Sequence, residues 1–456
     1  MEIVNPYYKL DEDGSIFSIR EKEYQSLEAS VREILKATEE IGFTVNDFGI
    51  REPRVFPSNE LDRTLKKNFV MKLQRGTSEV DLSMSIPKLI DSNYIMINGR
   101  KKIPLFQLFD VPIVTRGKNI KIRTNVATMM ISEEKEQPEG KEQQPFVSIS
   151  LLGKKVSLAL VMFSFYTREY LNSQFHLSEL GNELVFDNLF DKLVYDLKAL
   201  HDYFPEYTKE DFTRDLGKFY SKYDPLSKGE DVVYSLSLIL KTDIMSAKLF
   251  KTGDVIAEII EIIKSGDLDD KDYQNKRIRC FEYMILSKIS KVVFDLCMAS
   301  RKTKNVKFST SSSQILSECN VSDIVQFDFC INPIDELTKL SRTSLIGPGG
   351  FNRENVPKHL RDISESMFGR VCPVDTPDRE NCGVLQDLVV NVNLDENMKF
   401  SSALSEPISM PVSMVPFLEH DDQTRLQMAS SQMRQAIALV KFDSAMVQSG
   451  CEGLYT

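Results

Sequence analysis

Apolar residues recur at helical spacing at Tyr24, Leu27, Val31, Ile34 and Leu35, which predicts an amphipathic helix over residues 23–40. Residues 93–97, Asn-Tyr-Ile-Met-Ile, read as a short buried strand that ends at the turn pair Asn98-Gly99. Further on, Val147, Ile149 and Leu151 alternate with Ser148 and Ser150, the pattern of a half-buried strand. Helical spacing returns over 186–204 (Phe186, Leu189, Phe190, Leu193, Leu197) and over 254–265 (Ile256, Ile259, Ile260, Ile263), the second run stopped by Gly266. A further apolar helix is expected from Ile278 to Ala299. Between these elements Glu133 to Gln144 contains no apolar residue, so it cannot bury a core and is expected to be an exposed loop or hairpin tip. From about residue 330 the periodicity fades while Gly, Pro, Arg and Asp become dense. Long irregular stretches inside a compact protein are usually functional.

Composition narrows the class. The chain has 456 residues, 42% hydrophobic and 27% charged, which is an ordinary globular balance and long enough for roughly three domains. No run approaches the roughly 20 apolar residues of a membrane span, and Met1-Glu-Ile-Val-Asn-Pro6 has neither the basic start nor the apolar stretch of a secretory signal. Seven cysteines are scattered at 280, 297, 319, 330, 372, 382 and 451 with no CxxC pair, so reduced thiols inside a cell are expected rather than a disulfide framework or a zinc site. The net charge of −10 argues, taken alone, against nucleic acid. Contact surfaces are local, however, and Arg100, Lys101, Lys102, Arg116, Lys118, Lys121 and Arg123 face the single acid Asp110 over the same stretch. Arg301 to Lys307 is a second basic run. A solvated charged face is the ordinary explanation of either.

Several catalytic signatures are absent: no GxxxxGK[ST], HExxH, GxSxG or strand-following GxGxxG occurs, and the four histidines (176, 201, 359, 420) are far apart. Three clusters remain. Gly347-Pro-Gly-Gly350 is a turn that permits positive φ and close backbone approach, followed by Arg353, Lys358, Arg361 and Arg370; taken alone it reads as a surface loop. Pro373-Val-Asp-Thr-Pro377 is a rigid extended segment leading into Asp378 and Asn381. Glu419-His-Asp-Asp422 precedes Arg425, Met428 and Arg434-Gln435. Its acids admit a metal, but helix-start acids complementing the dipole are the simpler reading.

Together these clusters carry a resemblance. Gln326-Phe327 through Asn332-Pro333, Arg342, Gly347 to Gly350, Arg353-Glu354, Arg361-Asp362, Gly369-Arg-Val-Cys-Pro373, Thr376-Pro377, Asn381 and Gly383 resemble the fork-loop and rifampicin-pocket region of the β subunit of multisubunit RNA polymerases. Pro416-Phe-Leu-Glu-His-Asp-Asp422, Arg425, Arg434-Gln-Ala436, Asp443, Gly450 and Glu452 are similar to the next β motif, beside the active centre. Ile86-Pro87 with Ile97-Asn98-Gly99 is similar to the protrusion, and Phe146-Val147 to Tyr166-Thr167 to the lobe. A shortened stretch at 390–410 and the close after Glu452 resemble the split β subunits of jumbo-bacteriophage polymerases, of which this chain would be the N-terminal half.

What the resemblance implies is an α+β, multidomain chain: protrusion over 1–125, lobe over 126–305, a return segment of the protrusion over 306–335, and over 336–456 the fork loop, rifampicin-pocket-like region and active-centre-lining segment. Family aspartates on the other large subunit hold the catalytic Mg²⁺; no Asp-Phe-Asp-Gly-Asp occurs here, so no catalytic residue is expected on this chain. Arg425, Asp378 and Asn381 are the nucleotide-facing positions; Gln326, Arg342, Ser344, Arg434 and Gln435 face RNA and the hybrid; Gly347, Gly349, Gly350, Arg353 and Arg361 belong to the fork loop near DNA. Asp378 stands where the family has glutamate, and Arg379-Glu380 where it has Gly-Pro, which unsettles both the contact and the local path. Implied partners are the β C-terminal half, the β′ halves, a promoter-specificity factor, template DNA, RNA and NTPs, and no membrane, in the cytoplasm of an infected host or packaged in a virion. The other reading is a phage structural or DNA-binding protein that keeps this fold without the activity.

Overall fold

The computed structural model describes residues 16–39, 42–53, 64–76, 78–110, 113–116, 118–124, 126–135, 145–151, 154–179, 188–221, 229–242, 259–261, 263, 269, 271–302, 312–377, 379–395, 397–401 and 406–437. Helix α1, Ile16–Glu39, begins seven residues before the expected 23 and buries Leu27, Val31, Ile34 and Leu35. They meet an antiparallel sheet of β1 (Thr44–Arg51), β2 (Lys66–Arg75) and β3 (Ser78–Pro87). Phe69, Met71 and Leu73 on β2 and Val80, Leu82, Met84 and Ile86 on β3 are buried at strict period 2, so one face of the hairpin is dry.

Strands β4 (Leu89–Ile90), β5 (Tyr94–Ile97) and β6 (Arg100–Pro104) follow. Ile97 pairs with Arg100 across a two-residue turn in which Asn98 (φ 53°) and Gly99 (φ 70°) are both left-handed, the conformation that suits the twist of a hairpin. Strand β7, Phe106–Asp110, is wholly buried. Strands β8 (Ile113–Arg116), β9 (Asn119–Arg123), β10 (Thr128–Lys135), β11 (Pro145–Leu151) and β12 (Lys154–Ser157) form one antiparallel sheet, so the expected division at 125/126 falls inside a sheet. Of the stretch 133–144, expected as a loop or hairpin tip, Glu133, Glu134 and Lys135 belong to β10 and pair with Val147, Phe146 and Pro145, and 136–144 lie outside the described residues. Val147 and Ile149 are buried as expected, but Ser148 is buried too, its hydroxyl donating to Ser132 O at 3.2 Å. Both faces of β11 are therefore covered.

Helices α2 (Leu158–Phe165), α3 (Arg168–Phe175), α4 (Leu189–Tyr203), α5 (Lys209–Ser221) and α6 (Gly229–Thr242) make the helical middle. The helix expected over 254–265 falls mostly outside the described residues, as does its Gly266 stop. The helix expected from Ile278 starts later, and the first residues are a strand: β13, Lys276–Arg279, pairs antiparallel with β7, and α7 runs Glu282–Lys302. Ile278 stands opposite Leu108 in the ladder while its N–H donates to Met398 O at 2.8 Å, and that tertiary pairing overrides the local helical spacing.

After α8 (Gln314–Val321) the chain returns to the N-terminal strands. Strand β14, Val325–Phe327, joins the edge of β6, and beyond α9 (Pro333–Ser341) strand β15, Arg342–Ser344, runs parallel to β7 and antiparallel to β16, Leu385–Asp387. Arg20, fully buried on α1, fastens this return. It donates from Nε to Pro104 O (3.1 Å), from Nη1 to Asn93 Oδ1 (3.0 Å) and from Nη2 to Leu340 O (2.8 Å), with its guanidinium over the Phe106 ring. Burial brings its pKa down to about 10. The last described elements are α10 (Met410–Ser413) and α11 (Gln423–Gln435), which share a small apolar cluster of Cys372, Val412, Val415 and Leu426.

The basic stretch 100–123 is not a simple solvated face. Lys102 is buried with its ammonium on Asn320, and Arg123 is buried with Lys276 around Asp110, each 2.8 Å from a carboxylate oxygen. Burial alone would raise the Asp110 pKa; the two cations outweigh it and hold the carboxyl below its ordinary value. The second basic run is described only to Lys302.

Candidate nucleic-acid interface

Helix α11 has two polar faces with different neighbours. Asp422 caps it, accepting from Arg425 N at 2.9 Å, so the acid cluster at 419–422 starts a helix. Among the described residues no three acidic, histidine or cysteine side chains converge as a metal site. On the inner face Gln423 donates to Pro373 O (3.0 Å), Gln427 to Thr376 O (2.7 Å) and Ser430 to Asp375 Oδ2 (2.9 Å), while Arg434 lies 3.2 Å from Asp375 Oδ1. The spacing 423, 427, 430, 434 is one helical stripe, and it lies along the Pro373–Pro377 segment. The outer face presents Arg425, Met428, Gln432 and Gln435 to solvent, with no acid past Asp422. Arg425 is 74% exposed and its Nε stands 3.6 Å from Asp422 Oδ2.

Beneath the helix is a buried ion network. Arg342 binds Asp387 through two bonds, Nε to Oδ1 at 2.8 Å and Nη2 to Oδ2 at 3.0 Å, and Arg434 Nη1 approaches Asp387 Oδ2 at 3.6 Å. Both aspartates have fully buried side chains, and the two arginines are only 12% and 13% exposed. Burial raises the Asp375 pKa, as does the charge of Asp387; Arg434 and Arg342 oppose the rise. Asn332 links two helices. Its Oδ1 accepts from Asp335 N at the start of α9, and its Nδ2 donates to Met433 O (2.8 Å) and Ala436 O (2.6 Å) at the end of α11.

The glycine turn packs inward rather than forming a free loop. Gly347 (φ 137°) has no room for a Cβ, which would lie 2.8 Å from Ile324 Cγ2, and one on Gly350 would lie 2.7 Å from Gln107 Nε2. Gln107, buried on β7, donates to Pro348 O at 3.2 Å. Gly349 (φ 71°) sits over the Phe109 ring. Arg361 donates to Glu380 O (2.8 Å) and Arg353 O (3.1 Å), tying the two loops together, whereas Arg353 stays at the surface near Asp323.

The expected site residues therefore sort by exposure. Arg425 and Gln435 share an open face; Asn381 is half-buried at the end of a short 3₁₀ turn, Arg379–Asn381; Gln326 is half-buried on the β14 edge. Asp378 lies outside the described residues. Arg342 and Arg434 are turned into the ion network instead of toward a ligand. Ser344 is buried, with its hydroxyl accepting from Ile346 N at 3.1 Å. In each case the reason is the same: β15 and the inner stripe of α11 are packed interior, and a resemblance in sequence does not say which way a side chain faces. Sequence reasoning named Asn332 and the segment holding Asp375 only as motif positions, without a role, and passed over Asp387. The polar stripe at 423, 427, 430 and 434 was the signal available for Asp375.

Next to β14 lies an exposed aromatic pair. Phe329 is 73% exposed, 5.6 Å from the Phe327 ring, with the Arg100 guanidinium and the Lys102 ammonium over Phe327. No helix among the described residues is long and apolar enough to cross a membrane.

Residues 327–394, spanning the glycine turn and the Arg342–Asp387 pair, match the family model RNA polymerase Rpb2, domain 3. The chain is 24% identical over 428 residues to the DNA-directed RNA polymerase subunit beta of Thermotoga maritima, covering 75% of this chain and 32% of that protein. It is 26% identical over 306 residues to the corresponding subunit of Christiangramia forsetii, covering 49% of this chain and 24% of that protein. The chain thus spans about a quarter to a third of the length of these curated relatives. Over these residues the chain is similar to the β subunit of DNA-directed RNA polymerase.

Proposed function

We propose that this chain is a subunit of a DNA-dependent RNA polymerase that lines the active centre, positions incoming nucleotide and nascent RNA, and contributes to parting the downstream DNA. The observation that carries the reading is the open face of α11. Arg425, Met428, Gln432 and Gln435 line it without an acid, while the opposite face is bonded to the segment leading to Asn381. Two motifs some fifty residues apart in the chain thereby support one surface. A guanidinium exposed on such a face suits phosphate oxygens in bidentate fashion, and the amide of Gln435 suits a ribose or base edge.

Nucleotidyl transfer in this family uses Mg²⁺, which neutralises charge on the reacting phosphates. In this reading the ion is held by the β′ part of the assembly. What this chain supplies is orientation: Arg425 toward the triphosphate, and Asn381 and Gln435 toward the nucleotide and RNA end. The division of β and β′ into separate chains, as in jumbo phages, is the finer form of the proposal, with a specificity factor completing the enzyme.

The test is reconstitution. Co-expressed with the remaining polymerase chains, this chain should co-purify with them and extend an RNA primer on a DNA template. Arg425→Ala should preserve assembly and lower kcat/KM for nucleotides by roughly 10- to 150-fold, the loss of one charge-assisted phosphate contact of about 1.5–3 kcal/mol. Unchanged extension kinetics in the assembled variant would reject the role of Arg425. Assembly without any RNA synthesis would favour the other reading, a structural or DNA-binding protein.

A further inference from the structure

We propose that Arg434, acting through Asp375 and Asp387, is a positioning residue that sets the pitch of helix α11 and so fixes where Arg425 points. The inference rests on the polymerase reading for its functional half only. Helix α11 meets the body over a small apolar cluster, in which Leu426 is buried and Ala429 and Met433 pack against it. The remaining attachments are polar. Asp375 gathers the hydroxyls of Ser409 (3.1 Å) and Ser430 (2.9 Å) as well as Arg434. Asp387, already forked to Arg342, takes the other arm of the Arg434 guanidinium. The network thus joins β15, β16, the Pro373–Pro377 segment, Ser409 and the end of α11.

Such a network tolerates little slack. Apolar contacts slide at small cost, but a buried carboxylate that loses its cation is left uncompensated, and the cost rises steeply with displacement. Arg434 meets the two buried aspartates as ion pairs, Nη2 3.2 Å from Asp375 Oδ1 and Nη1 3.6 Å from Asp387 Oδ2, and a swing of the helix lengthens both. Arg425 is nine residues upstream of Arg434, about 13 Å along the axis, so a swing of about 10° at the network displaces it by about 2 Å. Misplacement of about 1 Å at a reacting group can cost on the order of 10²-fold in rate. The side chain that the resemblance assigns to RNA therefore acts one step behind the surface.

Two measurements test this. In hydrogen exchange on the full-length chain, Arg434→Gln should speed exchange of the 423–435 amides about tenfold or more and leave the β2–β3 amides unchanged. Arg434→Lys, which keeps the charge but not the fork, should restore part of the protection, and Asp375→Asn should fall between the two. Unaltered protection in Arg434→Gln overturns the proposal, and so does loss of protection throughout the chain, which would make Arg434 a general stability residue. In the reconstituted enzyme, Arg434→Gln should raise the nucleotide KM when Arg425 is present and add little in an Arg425→Ala background. Additive effects would mean that Arg434 makes its own ligand contact, and would overturn the positioning role. If Arg425→Ala alone changes nothing, the nucleotide role of that face fails, and the exchange result decides whether Arg434 holds the helix.

Discussion

Asp196 on α4 accepts the Val147 backbone N–H at 2.7 Å, and this bond spans 49 residues to β11. Burial lifts its pKa to about 7 against the opposing pull of that N–H. The folded chain then holds a proton that the unfolded chain has released, so this residue lowers stability as pH rises from the ordinary aspartate value of 3.8 to about 7. Asp196→Asn keeps an oxygen acceptor and removes the titration. Thermal melts should show the variant more stable than the parent above pH 7, with the two converging below pH 4; parallel curves across that range would refute the assignment. At the same scale, the resemblance identified Arg425 by residue type and the structure shows it exposed, whereas Arg342, Arg434 and Ser344 were equally well matched in type and face inward.

Among elements, the two loops at 347–361 and 379–383 are held by close backbone approach. A Cβ on Gly383 would stand 2.4 Å from Arg361 O, and its φ of 68° lies in the left-handed region. Gly383→Ala therefore combines backbone strain with overlap against a main-chain atom. It is expected to destabilise the chain by about 2–4 kcal/mol, read from urea denaturation, and to release the Arg361 bonds to Glu380 and Arg353. A loss under about 0.5 kcal/mol would show that the loop relaxes freely. Other elements reveal how far local pattern reaches. The helix at 16–39 and the strand at 94–97 were legible because a local face is buried against whatever lies opposite. The strand at 276–279 was not, since it is specified by its pairing with β7, some 170 residues earlier.

For the whole molecule, Arg20, Lys276, Arg123 and Lys102 are buried and offer nothing to a phosphate, so the nucleic-acid-facing proposal rests on the local acid-free face of α11 and not on the charge sum of −10. In the polymerase reading the isolated chain makes no RNA, and synthesis appears only when the β C-terminal half and both β′ parts are added. Template-dependent synthesis by this chain alone would overturn that reading. The assembled enzyme is also expected to resist rifampicin. By the β-subunit resemblance Phe329, which is exposed, would stand in place of an aspartate, and Lys339, which donates to Phe329 O and Asp335, in place of a histidine. A drug hydroxyl left without its partner costs about 1–3 kcal/mol, so two losses lower affinity by roughly 10²–10⁴-fold. A drug titration of initiation, with Phe329→Asp/Lys339→His alongside, checks this; inhibition of the unmodified enzyme at concentrations that stop a sensitive bacterial polymerase would show the pocket to be misplaced.

The sequence by itself determined the amphipathic helix at the N-terminus, the Asn98-Gly99 hairpin, the strand after the polar 133–144 run, and the ordered Gly, Pro and Arg positions that carry the β-subunit resemblance. These are properties of neighbouring residues: hydrophobic period, turn conformation and motif spacing. Tertiary structure alone decided that Arg20 bridges α1 to the end of α9 across 320 residues, that β14 and β15 complete sheets begun near residue 100, and that Asp375 and Asp387 sit beneath α11. Charged side chains read alike on a surface and in a core. Their burial depends on partners brought from far along the chain, and no local pattern records those partners.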